Sequence, residues 1–131
     1  MPRDLSHIRA DIDAIDQKIV TSLFENGSDE EAVFESHNIK AEEIAQIRVL
    51  QLRFSAQAWN LINQRMTFSR EVWARKKVDW LGVVIDLKRY EKVIQQVQSH
   101  APTYAQEEIR KLYVLIHDIS VRIQQEIISQ P

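Results

Sequence analysis

The chain contains no cysteine, only two glycines and three prolines, and two of those prolines are Pro2 and Pro131. The missing cysteines exclude disulfides and thiolate chemistry. The scarcity of glycine and proline leaves few tight turns and favours long helices. The one Asn-Gly pair, Asn26-Gly27, stands between helical patterns and reads as a helix stop rather than a hairpin turn. No apolar run approaches the ~20 residues that cross a bilayer, so no membrane partner is expected. The opening Met-Pro-Arg-Asp lacks the apolar stretch that a signal peptide needs, which makes a cytoplasmic location the expectation. An excess of positive charge is also absent. The net charge is -2, which argues against a general nucleic-acid binder. There is no glycine-rich phosphate loop. His7, His37, His100 and His117 show no metal-ligand spacing with one another, so no metal is expected. His117-Asp118 adjoins Ser120, but neighbours along a helix do not face each other, and a catalytic triad is not supported.

What remains is a chain of 131 residues, 44% hydrophobic, long enough for one domain with a modest core. Its patterning is helical throughout. Leu5, Ile8, Ile12, Ile15, Ile19 and Leu23 recur at three- and four-residue steps and make one apolar stripe, with Asp4 as N-cap and Asn26-Gly27 as the stop. Residues 27–38 form an acidic connection, with a short helical turn expected at Ala32–Phe34. A second segment starts at Asn38 as N-cap. It carries Ile44, Ile47, Leu50, Phe54, Leu61, Ile62 and Val72 and meets no glycine or proline until Gly82. The pattern predicts a helix of about 39 residues over 39–77, about 58 Å long. A helix of that length needs support along its whole extent, and a homodimer is one ready way to provide it. Residues 78–85 read as a loop, Asp86 to Gln98 as a third helix, and Pro102-Thr103 opens a fourth with Ile109, Tyr113, Ile116, Ile123 and Ile127 on one stripe. Trp59, Trp73 and Trp80 are most simply core or interface residues. The domain organisation expected is one all-α unit over 1–131: a helix over 1–26, a connection over 27–38 and core helices over 39–131.

Polar residues interrupt these stripes in a few places. Ser120 and Gln124 share a face with the apolar residues of the last helix. Buried without partners, each costs about 1–3 kcal/mol, so they are either a satisfied core pair or the wall of a ligand pocket between helices. On the long segment Arg65, Ser69, Val72/Trp73 and Lys76 share a face. Arg65 and Lys76 stand about 16 Å apart along the axis, a span over which long side chains converge on one anion or simply form a solvated basic face. Asp86 and Arg89 are one turn apart, as in an ordinary surface pair. Arg9 flanks the first apolar stripe, where a surface role is the plain reading.

Taken together these residues resemble the all-helical AroQ-type chorismate mutases. The run Ile8-Arg9-Ala10-Asp11-Ile12-Asp13-Ala14-Ile15-Asp16-Gln17-Lys18-Ile19-Val20 is similar to the family's N-terminal signature. Leu61-Ile62-Asn63-Gln64-Arg65 followed by Lys76, then Asp86-Leu87-Lys88-Arg89, then Ser120 and Gln124, are similar to its later motifs at matching spacing from Leu61 to Gln125. The resemblance implies a helical bundle, usually an intertwined homodimer. It also implies a pericyclic conversion of chorismate to prephenate in aromatic amino-acid or related secondary metabolism. Such a site holds a dicarboxylate in its reactive conformer and stabilises developing charge, with no cofactor. By this resemblance Arg65, Arg89 and an N-terminal arginine clamp the carboxylates, and Lys76 and Gln124 donate to the ether oxygen. Asp86 and Ser120 contact the remaining polar groups.

Two departures from the family pattern stand out. Tyr90 follows Arg89 where many members carry a glutamate that contacts the substrate hydroxyl, which keeps 4-amino-4-deoxychorismate and isochorismate in view as substrates. In addition, about 39 extra residues separate the signature from Arg65. Arg9 and Arg48 therefore both answer to the family's first arginine. In one arrangement the long helix is continuous, the first helix is an addition, and Arg48 reaches the partner's site. In the other the insertion breaks the long helix, and the first segment folds back to supply Arg9 from its own chain. A non-catalytic helical module is the remaining alternative, although it need not retain these residues together.

Overall fold

The computed structural model describes residues 3–24, 38–78 and 87–129. The Asn26-Gly27 stop, the turn at Ala32–Phe34, the loop with Trp80 and Gly82, and Asp86 lie outside the described residues. All regular structure among the described residues is helical: α1 (Leu5–Phe24), α2 (Ala41–Arg48), α3 (Ala56–Val78), α4 (Leu87–His100) and, after a 3₁₀ turn at Thr103–Ala105, α5 (Gln106–Ser129).

The apolar stripes become the core. Ile8, Ile12, Ile15, Ile19 and Leu23 of α1 are buried, and α1 packs along α3 and against α4. Asp4 opens this helix as expected, its carbonyl accepting from the His7 and Ile8 amides at 3.1 Å each. On α5, Ile109, Tyr113, Ile116, Ile123 and Ile127 are buried with Leu112 and Ile119, and α5 meets α2, α3 and α4. Trp59 packs fully buried against Phe54, with ring centroids 4.7 Å apart. The exposed edge of α4 contrasts with its buried Val93, Ile94 and Val97, the division expected of a helix lying on one side of the bundle.

The single long helix is not present. The segment read as continuous over 39–77 is two helices, α2 and α3, separated by residues 49–55. Local and long-range bonds together make the break. The Leu50 amide closes a turn on the Ile47 carbonyl at 3.1 Å. The Gln51 amide turns outward to the Glu108 carboxylate at 3.1 Å. Ser55 then starts a fresh helix: its hydroxyl accepts from the Ala58 amide at 3.1 Å and its carbonyl from the Trp59 amide at 3.1 Å. With 23 residues, α3 is about 34 Å long rather than about 58 Å. Helix support along a continuous rod was one ground for expecting a dimer, and the break removes it; the ground taken from the family resemblance is untouched.

The start of the second segment also differs. Lys40, not Asn38, is the N-cap of α2, and the Glu43 carboxylate accepts from the Lys40 amide at 2.8 Å. Asn38 serves as a bracket instead. Its amide donates to Thr67 Oγ1 at 3.0 Å, and its Oδ1 accepts from Arg70 Nε at 2.7 Å. Arg122 of α5 donates to the Asn38 carbonyl at 2.5 Å, to Glu43 at 2.8 Å and to Glu126 at 2.6 Å. This brace fastens the returning chain to α3 and α5.

Candidate active site

A cavity of about 120 Å³ opens between α1, α3, α4 and α5. Its cations come from three helices: Arg9 from α1, Arg65 and Lys76 from α3, and Arg89 from α4. Periodicity explains the grouping. Arg65, Ser69, Val72/Trp73 and Lys76 lie on the same side of α3, and all of them line the cavity. Apolar walls are supplied by Ile12, Val93, Ile94 and Ile116, so the charged groups work in surroundings partly shielded from water.

Carboxylates on α1 hold two of these arginines. Arg65 is buried and donates from Nε to Asp16 Oδ1 at 2.5 Å and from Nη2 to Oδ2 at 3.4 Å. Burial works against its charge, but Asp16 outweighs that and keeps the guanidinium above its ordinary pKa. The Tyr113 hydroxyl donates to the same Asp16 oxygen at 2.8 Å. Burial, reinforced by Asp16, pushes that phenol well above its usual range, so it remains a donor. Arg89 pairs with Asp13, Nη2 to Oδ1 at 2.8 Å and Nη1 to Oδ2 at 3.4 Å, and also donates to the Arg9 carbonyl at 3.4 Å. Lys76 Nζ lies 4.5 Å from the centre of the Trp73 ring. The Trp73 indole N–H donates to the Ser120 carbonyl at 3.0 Å, and Ser120 lines the cavity.

Of the residues expected from the sequence, Arg9, Arg65, Lys76, Arg89, Tyr90 and Ser120 come together here. Arg48 does not line the cavity; it ends α2 with its guanidinium 5.3 Å from the Trp59 ring centroid. The break after α2 is the physical reason, because it takes Arg48 off the line of α3 while α1 folds back beside it. Gln124, one turn beyond Ser120, is not in the cavity lining either. It is 1% exposed, and neither amide atom has a hydrogen-bond partner among the described residues.

Residues 55–125 match the model of the chorismate mutase type II family. The chain belongs to this family. No curated protein and no solved structure matches it. The matched stretch covers more than half the chain and includes α3, α4 and most of α5. Within this chorismate mutase fold, α1 lies outside the matched stretch yet supplies one of the four cavity cations.

Other contributors escaped the sequence reading. His117 lines the cavity, its ring 4.3 Å from that of Tyr90. Burial lowers its pKa, Asp118 raises it and Arg65 lowers it, with a net lowering that favours the neutral ring. Its place one turn after Tyr113 and three residues before Ser120 was a signal available in the sequence. Asp16 was another: a carboxylate one turn from Ile12 and from Ile19 needs a partner when that stripe is buried.

Proposed function

We propose that this chain is a chorismate mutase, an isomerase that converts chorismate to prephenate. The observation carrying the reading is the meeting of Arg9, Arg65, Lys76 and Arg89 in one shielded cavity of a type II family member. The rearrangement breaks a C–O bond and forms a C–C bond within one molecule, with no proton or nucleophile exchanged. The protein's task is therefore to select the folded conformer and meet the charge that grows on the ether oxygen. Arg9, Arg65 and Arg89 bind the two carboxylates, bidentately where geometry allows. Lys76 donates to the ether oxygen. By the family resemblance Gln124 is the second donor; its amide has no hydrogen-bond partner among the described residues, lies outside the cavity lining, and must turn into the cavity to donate. Ser120 and Asp86 contact the remaining polar groups of the substrate.

The activity belongs in the cytoplasm, in aromatic amino-acid or related secondary metabolism. No helix among the described residues is long and apolar enough to cross a membrane. Because Arg9 reaches the cavity from its own chain, the proposed chemistry does not need the homodimer expected from the sequence. The test is the fall in chorismate absorbance on adding purified protein, with prephenate identified as product. Unchanged absorbance sinks the reading for this substrate.

A second reading rests on Tyr90, which stands against His117 on the cavity wall. A relative acting on 4-amino-4-deoxychorismate or isochorismate keeps the same clamp with a different ring substituent. Turnover of the three substrates side by side separates the readings.

A further inference from the structure

One face of α1 carries Arg9, Asp13 and Asp16 at intervals of four and three residues. The two carboxylates of that face each engage an arginine of another helix, Asp13 with Arg89 and Asp16 with Arg65. Burying an ion pair such as Asp16–Arg65 desolvates both partners, and an apolar pair of similar volume generally packs as well. Stability alone is therefore a poor reason for the pair. What a two-point contact does give is a fixed guanidinium plane. The Tyr113 hydroxyl, donating to Asp16 from α5, fixes the carboxylate in turn.

We propose that α1 orients the cavity, with Asp16, backed by the Tyr113 hydroxyl, and Asp13 acting as positioning residues for the Arg65 and Arg89 guanidinium groups. Held this way, the arginines meet a dicarboxylate without first losing rotamer freedom, so the ligand binds more tightly at unchanged chemistry. Asp16 is the stronger holder, because its side chain is 5% exposed against 39% for Asp13. The ligand class rests on the proposed chorismate mutase reading; the orientation of Arg65 does not.

The experiment joins two measurements on the full chain. Hydrogen exchange of the Arg65 Nε–H, followed by nitrogen-15 NMR, reports orientation without any ligand. Steady-state kinetics with chorismate report its use. Tyr113→Phe keeps the ring and removes only the hydroxyl. It is expected to speed Arg65 Nε–H exchange at least tenfold and raise KM about five- to tenfold, with kcat within twofold and the melting temperature within a few degrees. Asp13→Asn raises KM as well, and Asp13→Glu recovers at least half of that loss. Unchanged exchange in Tyr113→Phe overturns the proposal, as does faster exchange with an unchanged KM. If the wild-type protein does not turn over chorismate, the function reading fails by itself, and the exchange measurement alone then decides whether Tyr113 and Asp16 position Arg65.

Discussion

Tyr90 of α4 and His117 of α5 meet on the cavity wall with ring centroids 4.3 Å apart and planes inclined by 44°. Both are neutral polar groups in a lining that otherwise holds four cations. On the proposed reading they face the ring substituent of the substrate. Tyr90→Glu introduces an acid there and is expected to change the ratio of kcat/KM between chorismate and its amino analogue about tenfold or more. An unaltered ratio removes Tyr90 from substrate choice.

The same pair carries a pH signature. Folding lowers the His117 pKa, so the unfolded chain takes up its proton first as pH falls. The stability this group contributes is full above about 6.5 and declines as pH drops from there toward the lower folded value. Thermal melts between pH 7.5 and 5.5 should show a loss that is smaller in His117→Phe, which keeps a ring against Tyr90. Equal losses in the two proteins would assign the pH dependence elsewhere.

Lys76→Ala removes the proposed donor to the ether oxygen, together with a cation–ring contact to Trp73 worth about 0.5–1 kcal/mol. A fall in kcat of roughly 10²–10³ is expected, as for other single donors to a developing oxyanion. The melting temperature should stay within a few degrees. A variant retaining half its turnover would exclude Lys76 from the chemistry.

Arg9 and Arg48 can be told apart directly. Arg9→Ala is expected to lower kcat/KM about 10- to 100-fold, whereas Arg48→Ala is expected to leave kcat/KM within twofold, because its contacts, among them that with Trp59, lie outside the cavity. The reverse pattern would restore the arrangement in which Arg48 serves a partner's site.

Ser55 marks the point where the chain starts again as α3. Ser55→Ala removes the hydroxyl that accepts the Ala58 amide and should cost about 0.5–2 kcal/mol in urea unfolding. Ser55→Asp, which keeps an acceptor, should cost much less. Equal costs would mean that the break depends on something other than this cap.

The helices were legible because buried stripes at three- and four-residue steps leave a plain mark in α1 and α5. The break at 49–55 was not, because the apolar period runs through it without glycine or proline. It is settled by contacts distant in sequence, such as the Gln51 amide on Glu108, with Ser55 as the lone local cue. Spacing alone makes Arg65, Lys76 and Arg89 surface charges and Ser120 a core polar residue; they line one cavity, and it was the family pattern that grouped them. It left Arg9 level with Arg48, because their 39-position offset is ambiguous until the direction of the returning chain is known. Tyr113 passed for a core aromatic, since nothing local distinguishes a phenol that packs from one that also donates to a carboxylate.

The return of α1 beside α3 also has a genetic meaning. Where a clamp is shared between subunits, two different inactive copies trade their intact halves and regain some function when mixed. In the proposed site the helix bearing Arg9 belongs to the same chain as Lys76, so each copy is expected to stand or fall by its own sequence. On that reading an Arg9→Ala copy and a Lys76→Ala copy in one cell are expected to have nothing to lend each other.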